Sequence, residues 1–435
     1  MKRLFKHKAA RRSTTTSLEG STNIPTSGFT FINNSQGASA SIIELSNALD
    51  DVLGDIEFEG EASDFAKAEI GRLDSEASKY SNSRFLAGVE HPIWSCRSEH
   101  RPILIAAAKC SAAIYQPKDP WILEDDVFKY ERLRYIEPTR LGTVKATAFY
   151  EARQLNPMDS QQRGIFIVAI RGSATKVDHM VNLNNEATEI EDFIPLEMLK
   201  ESSERFVLPQ VHSGFLMAAK ALAPHVAQQL EKCTSDNGPK EILFTGHSAG
   251  AAVSSLLFYH FLSTASSKHS SLALKCITFG SPPFCNTEFA SLTNQTQIKT
   301  EDRHLHLNFL NEFDVVPRLD KLYVLSLVDL YRSKFGLPPE NTDNDIHDSV
   351  PHGYESSDKI GASKTWPLHA PVFVHPGNTI LLSLEDAAKD KSGALRLRAT
   401  QVNHPTLGSL LFCRIAAHKI AVYLANIQEL CARDS

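Results

Sequence analysis

From Ile242 to Ser267 the chain carries no Asp, Glu, Lys or Arg, and within that run stands Gly246-His247-Ser248-Ala249-Gly250. Such a length raises the question of a membrane span. His247, His260 and several serines argue instead for a strand, a tight turn and a helix in a protein core. Ile242–Thr245 reads as a short buried strand and Ala251–Leu262 as an apolar helix. A serine on such a turn sits on crowded backbone that demands small neighbours, here Gly246 and Gly250. Its hydroxyl then stands above the carboxyl edge of a sheet. The helix start behind it offers unpaired N–H groups and a positive dipole end to a developing oxyanion. The pattern makes Ser248 a nucleophile. His247 beside it points away from the serine and reads as a packing or positioning residue, not a base.

A serine hydroxyl needs a base to take its proton. In a chain of this kind the acid and the histidine follow the serine in sequence. Asp314 comes just past the strand His304–Leu310, at the edge where it can orient a histidine; Glu312 and Asp320 are the alternatives. Six histidines follow Asp314, at 347, 352, 369, 375, 404 and 418. His404 precedes Pro405 in a loop, and His418 opens an apolar run ending at Leu424. Spacing does not separate those two as the base.

Short apolar strands alternate with helices. Ile165–Ile170, Ile242–Thr245 and Lys275–Phe279 are strands, and residues 213–233 form a helix in spite of Pro224. That alternation predicts an α/β fold with a mainly parallel central sheet flanked by helices. Residues 1–40 are rich in Ser, Thr, Asn and Gly and read as a disordered tail, residues 41–94 as an acidic helical arm. Residues 95–435 form the catalytic domain, with a loop-rich insertion over 320–375. Val372–Val374 and Thr379–Leu384, around His375-Pro376-Gly377, read as a hairpin, and 408–429 as a final helix.

The formal net charge of -6 argues against a nucleic-acid binder. Seven cysteines, with no CxxC pair, form neither a disulfide framework nor a zinc site. They suit buried thiols in a reducing, cytoplasmic setting. The start, Met1 to Leu18, has basic residues but no apolar run of signal-peptide length, and its Arg and Ser content is weakly compatible with mitochondrial targeting. No other stretch resembles a transmembrane segment.

Together these residues resemble the class 3 lipase family of α/β hydrolases. Four elements carry the resemblance in order: Arg171-Gly172-Ser173 after a strand, His212-Ser213-Gly214-Phe215, the GHSAG turn, and Asp314-Val315-Val316-Pro317-Arg318. The resemblance implies that His418, followed by Tyr423, is the base, and that the N–H groups of Ser173 and Ala249 form the oxyanion hole. It implies a lid over 173–183 with Val177, Met180 and Val181 on one face. It implies cleavage of acyl esters of glycerolipids through a Ser-His-Asp triad, with an acyl lipid as substrate, no metal or organic cofactor, and peripheral contact with a membrane or lipid droplet. The alternatives are a phospholipase or small-ester carboxylesterase, and an inactive hydrolase fold kept as an interaction scaffold.

Overall fold

A computed structural model of the protein describes residues 73–86, 88, 91–116, 122–139, 145–155, 164–172, 186–195, 208–233, 241–264, 272–300, 303–334, 364–386 and 395–433. The elements run α1 (Arg101–Ala113), β1 (Ile122–Glu124), β2 (Phe128–Ile136), β3 (Thr147–Gln154), β4 (Ile165–Ile170), β5 (Ala187–Glu189), β6 (Gln210–His212), α2 (Ser213–Cys233), β7 (Glu241–His247), α3 (Ala249–Thr264), β8 (Ala273–Phe279), α4 (Thr287–Thr300), β9 (Leu305–Asn311), α5 (Lys321–Lys334), β10 (Asn378–Asp386), β11 (Leu395–Val402), α6 (His404–Gly408) and α7 (Ile420–Arg433).

The nine-stranded sheet has the order β1-β2-β3-β4-β7-β8-β9-β10-β11. Its centre, β4-β7-β8-β9-β10, is parallel throughout, and the outer pairings are antiparallel. The expected mainly parallel sheet is therefore present. β4 is buried at every position, as its unbroken apolar sequence requires of a strand covered on both faces. On one face α2, α3 and α4 pack through Phe215, Leu222, Leu256, Leu257 and Phe289. On the other, α1 and α7 pack through Leu104, Ala107, Tyr423 and Ile427. α3 lies so deep that Ala249 to Tyr259 are all buried, which explains why the run lacks charges. It is a core helix. Among the described residues no helix is long and apolar enough to cross a membrane.

Three expectations need correction. Val374 pairs with Cys285, not with 379–384, and β10 makes its hairpin with β11. The stretch 320–375 opens with helix α5, whose Tyr323, Leu327 and Leu330 are buried against Val315, Trp366 and Leu411. The final helix starts at Ile420, because 411–414 runs extended, with Leu411 N–H donating to Asn82 and Arg414 N–H to Phe313.

The described part of the acidic arm packs on the core of the main domain. Leu73 and Ala77 join the Tyr323 cluster, and Phe85 joins Leu310 and Leu381. Residues 92–94 run along β11: Ile93 bridges Thr400, Trp94 N–H donates to Ala399, and Gln401 N–H donates to Pro92. The six described cysteines are all buried.

Candidate active site

β7, β8 and β9 are adjacent and parallel, so the residues that leave their carboxyl ends converge. Ser248 leaves β7, Gly280 leaves β8 and Asp314 follows β9. Ser248 has φ 58, a left-handed conformation that costs a non-glycine residue about 1–3 kcal/mol. The turn is held by Ser248 N–H donating to Phe279 and Ala251 N–H donating to Ser248. Its glycines permit backbone contact. A Cβ on Gly250 would stand 2.2 Å from the Ile170 carbonyl oxygen, and one on Gly172 would stand 2.9 Å from Ser248 Cβ. The end of β4 thus presses directly on the elbow.

Asp314 is fully buried. Its Oδ1 accepts from Val316 N–H at 2.9 Å. Its Oδ2 faces His418 Nδ1 at 2.9 Å and receives the Tyr423 hydroxyl at 2.6 Å. Burial, then the charge of Asp314, pushes the Tyr423 phenol well above its ordinary range, so it stays a donor. His418 closes a 3₁₀ turn, Ile415–His418, and is buried. Its other nitrogen, Nε2, is buried without a hydrogen-bond partner among the described residues. An imidazole whose Nδ1–H is held by a carboxylate presents its lone pair at Nε2.

The ring of His247 lies against that of His418, with centroids 4.5 Å apart. Burial, and after it the proximity of His418, holds the His247 pKa well below its ordinary value. The neighbour of the serine is thus a buried neutral ring and not a second base.

The structure separates the two histidines that spacing left open. His418 meets Asp314, whereas His404 starts the short helix α6 and lines a small, half-open cleft with Pro317, Pro371 and His375. The alternative acids have other partners. Glu312 accepts from Phe85 N–H, and Asp320 accepts from Tyr323 and Val372 N–H. Ala249 opens α3, where first-turn N–H groups have no helical acceptor. Ser173 and the lid segment 173–183 lie outside the described residues.

Two neighbours escaped sequence reasoning. Asn311 donates from Nδ2 to the Ala417 carbonyl at 2.8 Å, and its own N–H donates to Tyr423 Oη at 3.0 Å. Tyr115 joins His247 Nδ1 at 2.9 Å from 132 positions away in sequence. Asn311 could have been suspected as a polar residue closing an apolar strand. Tyr115, beyond the end of α1, carried no signal.

Residues 167–323, from β4 to the start of α5, match the model of the class 3 lipase family. Over this segment the chain is similar to the class 3 lipases. The family is one of carboxylic ester hydrolases, and the segment holds the GHSAG turn and Asp314. Among solved structures the chain is similar to the Rhizomucor miehei lipase in its propeptide complex, at 15% identity and TM-score 0.42, over 79% of this chain and 86% of that one. It is similar to the lipase of Rhizopus microsporus var. chinensis, at 14% identity and TM-score 0.40, over 78% and 91%. It is also similar to a triacylglycerol lipase from Penicillium expansum, at 14% identity and TM-score 0.36, over 67% and 82%. No curated protein sequence matches the chain.

Proposed function

We propose that this protein hydrolyses acyl esters of lipids, with Ser248 as nucleophile, His418 as general base and Asp314 as the carboxylate that orients it. One observation carries the reading: His418 is held by Asp314 through Nδ1 while its Nε2 stays buried and unpartnered, and its ring packs against His247, the residue before the strained elbow serine. Nε2 takes the Ser248 hydroxyl proton as Oγ attacks the ester carbonyl. The tetrahedral oxyanion accepts hydrogen bonds from the N–H groups of Ala249 and Ser173. A comparable donor is worth about 2.7–4 kcal/mol in turnover elsewhere. The alcohol leaves with the proton from His418. Water then repeats the steps on the acyl-serine and releases the acid. This route uses only side chains and backbone.

A fluorophosphonate probe, which reacts with activated serines, tests the reading. Labelling of the wild type that disappears in Ser248→Ala is expected. A folded wild type that stays unlabelled would remove the hydrolase reading and favour the scaffold alternative.

Peripheral contact with a lipid surface is part of the proposal. Leu208, Met217 and Val372 are exposed on or next to the ribbon in which Val211, Cys285 and Val374 pair. Paired Leu208→Asp and Val372→Asp substitutions should reduce flotation with phosphatidylcholine vesicles. Unchanged flotation would count against that contact.

A further inference from the structure

The triad leaves one buried ring at the site without a role. We propose that His247, together with Tyr115, is a positioning unit that ties the loop carrying His418 to the end of β4 that leads to the oxyanion donor. This rests on the hydrolase reading above. His247 Nε2 lies 2.7 Å from the His418 carbonyl oxygen. A carbonyl only accepts, so Nε2 carries the hydrogen. In the neutral ring Nδ1 is then an acceptor, and the Tyr115 hydroxyl at 2.9 Å donates to it. That leaves the phenol oxygen to accept, and Gly172 N–H donates to it at 3.1 Å.

Three hydrogen bonds therefore run in one direction, from Gly172 through Tyr115 and His247 to the backbone of His418. They join four segments that are distant in sequence: the β4 end, the residue beyond α1, the elbow and the 3₁₀ turn of the base. The base turn is gripped twice, since Asn311 holds the carbonyl of Ala417 and His247 that of His418. A Cβ on Gly172 would stand 2.6 Å from the Tyr115 hydroxyl oxygen, so the phenol reaches bare backbone one residue before Ser173. A ring present only to fill space would not need both nitrogens bonded. Phenylalanine would serve. A neutral ring also suits a partner that becomes cationic. An imidazolium at His247, its ring centroid 4.5 Å from that of His418, would oppose the charge His418 gains when it takes the serine proton.

Turnover of a water-soluble ester, the rate of fluorophosphonate labelling and the melting temperature should be measured for Tyr115→Phe, His247→Leu and His247→Gln. Misplacement of a catalytic group by about 1 Å can cost about a hundredfold. Tyr115→Phe and His247→Leu are therefore expected to lower kcat and labelling rate by about tenfold to a hundredfold with KM unchanged. The glutamine amide presents both a donor and an acceptor, so His247→Gln should recover most of the leucine variant's loss. A Tyr115→Phe variant with wild-type kcat would overturn the proposal. So would a glutamine variant as impaired as the leucine one, or an effect confined to KM. If His247→Leu fails to fold, Tyr115→Phe still decides, because it keeps the ring and removes only the hydroxyl. A wild type that is not labelled, or labelling that survives Ser248→Ala, would sink the hydrolase reading itself. A labelled wild type with an unaffected Tyr115→Phe sinks only the positioning role.

Discussion

Tyr423 donates its hydroxyl to the same carboxylate oxygen of Asp314 that faces His418, at 2.6 Å against 2.9 Å. The phenol competes with the imidazole for that oxygen and fixes its place. Its own oxygen accepts the Asn311 N–H. Tyr423→Phe removes both contacts while keeping the buried ring. We expect a loss of about 1–3 kcal/mol in urea denaturation, the usual cost of leaving a buried donor unpaired. We expect kcat to fall by about tenfold, since a loosened Asp314 orients His418 less well. Wild-type stability in this variant would show that Asn311 finds another acceptor.

His404→Ala and His418→Ala should behave oppositely on a soluble ester. Loss of a triad base costs at least about 10⁴ in turnover in comparable constellations. His418→Ala should show that loss, and His404→Ala should stay near wild type, because His404 faces the Pro317 and Pro371 cleft. Equal activity of His418→Ala and wild type would remove His418 from the triad.

Ser248 occupies a conformation that glycine adopts at little cost and alanine does not. Ser248→Gly and Ser248→Ala should both be inactive. The glycine variant should be the more stable by about 1 kcal/mol in urea denaturation, because only it relieves the strained backbone. The reverse order would mean that the elbow is not strained.

His306 and His375 are buried, and burial lowers both to about 3 from the ordinary 6.5. Between those values the unfolded chain binds protons that the native state refuses. Stability contributed by their neutral burial is thus full above pH 6.5 and is lost as pH falls toward 3. The urea midpoint should drop over that range with a slope containing about one proton per histidine. His375→Gln should flatten the slope by about one proton. An unchanged slope would show that His375 takes up a proton in the native state as readily as in the unfolded one.

Much of the core could be read from sequence because two-sided burial leaves a plain mark. Ile165–Ile170 is apolar at every position and is buried at every position. β9 was harder. Leu305–Asn311 alternates polar and apolar residues, yet all seven are buried. Its polar members are bonded internally: His306 to Ser255 and Tyr259, Asn308 to Thr278 and His375. The outer strand β2 alternates buried and exposed at its start, with charges on the open face. That pattern is faint beside the central runs. The elbow was legible because its glycines and serine obey local rules. The pairing of Asp314 with His418 was not, because the two stand 104 positions apart. Helix α5 was hidden by the Pro and Gly residues beyond it. Tyr115 was beyond reach, since its role exists only once α1 lies beside β7.

The strip of backbone at 92–94 along β11 has a consequence for handling the molecule. β11 ends the sheet with eight residues, Leu395–Val402, and their outward N–H and C=O groups would be a template for another chain if left bare. A truncation beginning after Trp94 would keep the whole catalytic constellation and lose this cover. Such a truncation is expected to self-associate edge to edge, a rise in mass that size-exclusion chromatography would read. Residues 92–94 would thus guard that edge against self-association, quite apart from the chemistry.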